Sequence, residues 1–508
     1  MSIQTRICQA ISASICTLIV QSSVMAATLP DDHEQIIQQE LAQRPSYFDI
    51  KDIPEITDKR PIRIVVERGL GKRLLAPYII PKFSEKTGIE VEVIELTLEQ
   101  MLKEQRTSVV NLQSQYDMIS IEGSWLKGWA DQSLVYSLSA LAKRFDSVSS
   151  FSAHTSYFYS SLLTMMSYEQ ELYALPYSNY TMVNHYRHDL FEHPSEQQTF
   201  LAQYGYPLAP PNDVQQLLDV AEFFTRSKGS ALAGETLSED FYGVTLMAGY
   251  APHVGDEFST LIWGLKGQWF KPAYHNNLNS IHGFYIDDAN PEFLQTAEIY
   301  KQLLKFAPPQ ALSSSWREGS QQFRHGKTAM YPFSYNNVWA LNAQVETLVP
   351  GAKIAAAQVP LGQPYFGGWG IAIPIDARNV EGAYWLSKYM TSFEAQFANT
   401  LTAGSPCRID VATHEFFARP EQHLNGGALN QGHIALTAWR DNWQDKGHYT
   451  SIAMQHIYDV IQETSYSVAS QRLAPEFALS SANKKIKELH NRHGRSPFKV
   501  APLEGFAQ

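Results

Sequence analysis

Pro61-Ile62-Arg63-Ile64-Val65-Val66-Glu67-Arg68-Gly69, then Ile89-Glu90-Val91-Glu92-Val93-Ile94-Glu95, then Tyr116-Asp117-Met118-Ile119-Ser120-Ile121 are the stretches that decide the fold class. The first is a short apolar run of the kind that makes a buried strand, and the second alternates apolar with acidic residues, the period of a strand with one wet face. Between them a helical segment runs through Phe83 and is stopped by Gly88, while Thr97 and Gln100 have capping-box spacing at the start of the next helix. The order is β-α-β-α-β. Right-handed crossovers make such a unit a parallel sheet, so the class is α/β. Ligands of open α/β sheets sit beyond the carboxyl ends of the strands. That rule selects the loops at Glu67-Arg68-Gly69, at Glu95, and from Ser120 through Glu122 to Trp125. Glu67 and Glu95 read equally well as solvated turn carboxylates. Trp125, a large ring in a short strand-to-helix loop, is either a packing residue or a stacking platform, and the platform is the expectation.

Outward from this unit, the chain of 508 residues is long enough for two to four compact units. Its 44% hydrophobic and 18% charged residues describe a folding chain, not a disordered one. A formal net charge of −11 offers no basic field for phosphate backbones or anionic lipid, so nucleic acid is not an expected partner. Residues 1–26 read as an export signal: one charge at Arg6, a mostly apolar stretch from Ala10 to Val20, and small residues at Val24 and Ala26 before an expected cleavage. Loss of that segment removes Cys8 and Cys16, leaving Cys407 as a lone thiol without an identifiable base, expected to be buried and inert. Residues 27–60, polar and punctuated by Pro30, Pro45 and Pro54, suggest a loosely packed extension. Further on, Asn212 and Gln215 repeat the capping pattern ahead of a helix with Leu217, Leu218, Ala221 and Phe224 on one face. Helices are also expected around Pro291 to Leu304, Glu381 to Ser392 and Ser451 to Ala469, and the basic stretch Asn483 to Lys499 reads as a solvated last helix.

Several catalytic signatures are missing. Gly69-Leu70-Gly71-Lys72 follows a strand, but Leu74 stands where a dinucleotide fingerprint needs Gly, and no Ser or Thr follows Lys72 as a phosphate loop requires. There is no H-E-x-x-H and no G-x-S-x-G, and the cluster His185, His188 and His193 reads as exposed polar groups. No cofactor and no metal are expected.

Taken in order, Phe83-Ser84-Glu85-Lys86-Thr87-Gly88-Ile89-Glu90-Val91, Tyr116-Asp117-Met118-Ile119, Leu172-Tyr173-Ala174-Leu175-Pro176-Tyr177 and Tyr186-Arg187-His188-Asp189-Leu190-Phe191 carry a resemblance. Phe323-Arg324-His325-Gly326-Lys327-Thr328-Ala329-Met330, Phe366-Gly367-Gly368-Trp369-Gly370-Ile371-Ala372-Ile373-Pro374 and Ala474-Pro475-Glu476-Phe477-Ala478-Leu479 extend it. From about residue 61 onward the chain resembles the extracellular solute-binding proteins of ABC importers, the broad family that includes the maltose-binding protein. The resemblance implies a two-lobed periplasmic-binding-protein fold of type II, with a ligand cleft between α/β lobes joined by crossing hinge segments. By that analogy the crossings fall near Pro176, near Gly368 to Gly370, and near Gly404 to Arg408. Residues 61–176 with 368–405 would form one lobe, and 177–367 with 406–508 the other. The polar extension at 27–60 departs from the pattern.

The residues at the crossings suit this reading. Gly367, Gly368 and Gly370 would let a crossing strand flex and approach a ligand. Trp369 among them would stack on a sugar face, or else plug the hinge as core. Tyr177, Ser178, Asn179 and Tyr180 offer hydroxyl and amide groups for a polyol, or form an ordinary polar loop. Trp263 and Trp339 are further platforms or core residues, and Arg68 and Arg408 are the guanidinium groups that would clamp a phosphorylated ligand. The expected protein is therefore a monomeric, non-catalytic periplasmic receptor that hands a carbohydrate or polyol to an inner-membrane ABC permease. A periplasmic sensor subunit and an exported saccharide-acting enzyme using Glu95 or Glu122 are the competing expectations.

Overall fold

The computed structural model describes residues 31–43, 48–274, 281–287, 289–402, 404–418 and 453–493. The expected export signal lies outside them. Helix α1 (Asp31–Ala42) precedes β1 (Ile62–Glu67). A π-wound turn at Gly71–Ile79 then runs into α2 (Ile80–Thr87), which ends on Gly88 in the left-handed conformation, φ 70°. Next come β2 (Val91–Leu96), α3 (Leu98–Val110), β3 (Met118–Glu122) and α4 (Gly123–Asp131). The expected capping box opens α3: the Gln100 amide donates to Thr97 Oγ1 at 3.4 Å, and the Thr97 amide to Gln100 Oε1 at 3.1 Å.

The chain continues through the long strand β4 (Ala174–Arg187), α5 (Val214–Phe224), β5 (Tyr242–Val244), α6 (Pro252–Gly264), α7 (Pro291–Leu303), α8 (Trp316–Arg324) and β6 (Thr328–Tyr335). Strands β7 (Ile354–Ala357) and β8 (Phe366–Ala372) follow, then helices α9 (Val380–Met390), α10 (Phe393–Leu401), α11 (Met454–Ala469) and α12 (Pro475–His493). Helix α5 is capped one residue later than the sequence suggests. Asp213 accepts the Gln216 amide at 2.8 Å, and Gln216 Oε1 returns to the Asn212 amide at 2.9 Å.

One eight-stranded sheet runs in the order β2-β1-β3-β8-β4-β6-β5, with β7 also paired to β4. β1 pairs in parallel with β2 and β3, as the β-α-β-α-β reading requires. β8 and β4 are antiparallel partners that bind the two ends of the sheet into one surface. Their register sets Trp369 opposite Glu122 of β3 on one side and Ser178 of β4 on the other. Most buried strand residues are apolar, as fits a sheet covered by helices on both faces, while β4 also buries Asn179, Thr181, Asn184 and His185.

The N-terminal segment is docked, not loose. Ile37, Phe48, Ile53 and Ile56 are buried in the core. Phe48 stacks on Trp385 of α9 with centroids 6.0 Å apart, and the Lys388 ammonium lies 4.4 Å from the Phe48 ring centre. Lys82 reaches Glu394 at 2.9 Å and Glu34 at 3.8 Å, so α1, α2 and α10 share charges. Few and irregularly spaced, these four apolar residues each pack into the body. Cys407 is fully buried, and burial pushes its thiol up. Among the described residues no helix is long and apolar enough to cross a membrane.

Candidate functional site

A cavity of about 440 Å³ opens beyond the carboxyl ends of β1 and β3, within the size range of small-molecule sites. β1 contributes Glu67, and the β3–α4 junction contributes Glu122, Ser124 and Trp125. Tyr180 of β4, Tyr335 of β6 and Trp369 of β8 complete the sheet side. The facing wall is His253 and Asp256 of α6, Trp316 at the start of α8, and Tyr458 and Asp459 of α11. Helix α11 packs on both α6 and α4, so it closes the cavity from behind.

Two buried carboxylates organise this space. Glu122 is the N-cap of α4, where the exposed amides of a helix start favour a negative group. Its Oε2 accepts the Ser124 amide at 2.7 Å and the Ser124 hydroxyl, and its Oε1 accepts the Tyr180 hydroxyl at 3.1 Å. Burial raises its pKa against the pull of those donors. Asp256 accepts the hydroxyls of Tyr335 and Tyr458, one on each oxygen, and His253 Nδ1 lies 3.1 Å from the Tyr335 hydroxyl. Burial pushes the Asp256 carboxyl up to about 8; the two phenols oppose the shift, and the charge of Glu122 adds to it.

The aromatic walls are mutually braced. Trp125 and Trp369 meet edge to face at 5.5 Å, and Tyr180 and Tyr335 at 5.3 Å, geometry that fixes the planes a ligand would meet. Gly367 makes this possible, because a Cβ there would sit 2.1 Å from the Tyr180 ring. At Gly368 a Cβ would meet Leu162 at 2.7 Å, so the room expected for a ligand at this glycine is taken by protein.

The cavity thus brings together Glu67, Glu122, Trp125, Tyr180 and Trp369 of the residues expected from the sequence. The others lie outside its lining. Glu95 turns inward: its Oε1 accepts the amides of Gly69 at 3.0 Å and Gly71 at 2.9 Å, so a carboxylate of the chain itself fills the glycine loop. Arg68 is exposed at the neighbouring turn. The Tyr177 hydroxyl bonds Ser120 at 2.7 Å, and Asn179 bonds the Pro406 carbonyl and Ser405. Trp263 stacks on Tyr365 at 5.7 Å, and Trp339 is fully buried edge-on to His185. Arg408 pairs with Asp410 at 2.8 Å beneath the Tyr157 ring, so its guanidinium serves the fold. His253, Asp256, Tyr335 and Tyr458 were not singled out in the sequence. The adjacent acids Asp256-Glu257 inside a mostly apolar helix were the available signal. Among the described residues no group of three His, Cys, Asp or Glu side chains is arranged to hold a metal ion.

Residues 72–397, well over half the chain, match the family described as bacterial extracellular solute-binding protein. The chain belongs to that family. No curated protein sequence matches it. Among solved structures it is similar to an ABC transporter solute-binding protein of Agrobacterium radiobacter in complex with ribitol. The TM-score is 0.66 at 19% identity, covering 85% of this chain and 99% of that one. A solute-binding protein of Agrobacterium vitis with bound D-mannitol gives 0.63 at 17% identity, covering 86% and 99%. The maltose/maltodextrin-binding domain of Bdellovibrio bacteriovorus bound to maltotriose gives 0.63 at 15% identity, covering 85% and 100%. These likenesses carry the fold, which is the two-lobed one of solute-binding proteins.

Proposed function

We propose that the protein is an exported, non-catalytic receptor that binds a sugar, sugar alcohol or short oligosaccharide in this cavity and delivers it to an inner-membrane ABC permease. The carrying observation is the cavity itself, in which braced tryptophan and tyrosine rings flank hydrogen-bonding carboxylates and hydroxyls. Flat apolar rings suit the faces of a polyol, and the polar groups between them suit its hydroxyl edge. Family membership and the polyol and saccharide ligands of the similar structures support the same class. Export would rest on residues 1–26. With the lobes divided at 61–176 plus 368–405 and 177–367 plus 406–508, the cavity draws on both sides of the division, so closure of a hinge would enclose the solute.

Isothermal titration with ribitol, D-mannitol, D-tagatose, maltose and maltotriose tests the reading. Saturable one-to-one binding of at least one, with the ligand recovered chemically intact, is the expected result. Absence of heat from all polyols and saccharides, or turnover of the bound one, overturns it.

A further inference from the structure

Apart from the imidazole of His253, the charged groups of the described lining are one-sided. Glu67, Glu122, Asp256 and Asp459 line it, and among the described residues no Lys or Arg does. The one ammonium of α4, Lys127, is turned away to the carbonyls of Thr164 and Ser167. Arg408, the guanidinium expected from the sequence to serve an anion, is held by Asp410 outside the lining. A phosphorylated or carboxylated solute would enter this field against like charge and with no fork of donors to receive it.

Both carboxylates have donors, and among the described residues no Lys or Arg lines the cavity beside them. Both oxygens of Asp256 already accept phenol hydroxyls, and both oxygens of Glu122 already accept protein donors. Each Asp256 oxygen and Glu122 Oε1 keep room for one more donor, which a ligand hydroxyl or an ammonium can fill alike. An ammonium group adds a Coulomb attraction that none of them supplies. The rings supply the rest of a cation site, since Trp125, Tyr180, Tyr335, Trp369 and Tyr458 surround the same space and the faces of such rings attract positive charge. Burial holds a proton on Asp256 at neutral pH in the folded chain, and an ammonium beside it would draw that pKa down and release the proton.

We propose that the solute carries an amino group on its hydroxylated skeleton, an amino sugar or amino polyol whose ammonium sits between Glu122 and Asp256. This rests on the receptor reading above and narrows its substrate class. Matched ligand pairs test it by titration calorimetry at neutral pH: D-glucosamine against D-glucose and N-acetyl-D-glucosamine, and glucamine against D-sorbitol. On the unaltered protein the amine of at least one pair should bind about tenfold or more tighter than its neutral partners, the size of one charge-assisted contact. In Asp256→Asn or Glu122→Gln that ratio should collapse toward one. Binding of neutral members with no amine preference overturns the amino-ligand assignment and leaves the receptor reading standing. A preference that survives both substitutions, or tighter binding of hydroxyl-free cations such as tetramethylammonium and putrescine, also overturns it. Absence of binding by every sugar and polyol removes both readings together.

Discussion

Asp256→Asn should make the protein more stable relative to wild type as the pH rises. In the folded chain burial holds the Asp256 carboxyl up to about 8, with Tyr335 and Tyr458 on its oxygens, His253 behind Tyr335, and the carboxylates of Glu122 and Glu257 nearby. In the unfolded chain it titrates near 3.9. Between these values the folded state keeps a proton that the unfolded state has released, so stability falls with rising pH. The slope is about 1.4 kcal/mol per pH step, and no cost arises below the lower value. Asn carries no such cost. From about pH 5 to about pH 8 the variant should therefore gain roughly 4 kcal/mol on the wild type. For a chain of 508 residues the melting entropy is about 1 kcal/mol/K, so the difference in midpoint should grow by about 4 °C. Glu257, also pushed up to about 8, chiefly by burial, acts in both proteins and cancels in the difference apart from the small part that the charge of Asp256 adds to its shift. Thermal scans of the two proteins across this range give the answer. A midpoint difference that stays flat, or shrinks as pH rises, would refute the picture of Asp256 as an acid kept protonated by burial.

Phe48→Ala should lower stability by about 3–5 kcal/mol through the lost ring and its contacts with Trp385 and Lys388. An unchanged denaturation midpoint would return residues 31–60 to the status of a loose extension. Gly367→Ala drives a Cβ into the Tyr180 ring and should break the Tyr180–Glu122 bond, weakening ligand binding by about tenfold or more. Calorimetry showing wild-type affinity would remove Tyr180 from the site. Glu95→Ala strips the carboxylate from the Gly69 and Gly71 amides and should cost about 1–3 kcal/mol while leaving affinity within about twofold. Loss of binding with stability intact would instead make Glu95 a ligand contact.

The sheet's first half was legible because its strands are short, apolar and separated by capped helices, so local pattern and global fold agree. The cap of α5 shows the limit of pattern alone. Asn212/Gln215 and Asp213/Gln216 have the same spacing, and the structure uses the second with a return bond to the first. The docking of residues 31–60 was not legible, because Ile37, Phe48, Ile53 and Ile56 are buried singly and show no period. On the site, Glu67, Glu122 and Trp125 follow from the strand-end rule. Trp369 and Tyr180 follow from the resemblance at the crossing strands. The opposite wall comes from α6, α8 and α11, whose residues lie scores to hundreds of positions away. Their place in the second-lobe segments made Trp263 and Trp339 candidates, yet only packing against Tyr365 and His185 reveals where their rings go.

The central claim is that a polyhydroxy solute is held between Trp125 and Trp369 on one side and Tyr335, Tyr458 and Asp256 on the other. A crystal structure of the protein with its tightest-binding sugar, amino sugar or polyol tests this most directly. The account predicts ligand density in that cavity with the solute within hydrogen-bond reach of Glu122 or Asp256. Density on any other surface, with these rings and carboxylates closed on one another, would contradict it.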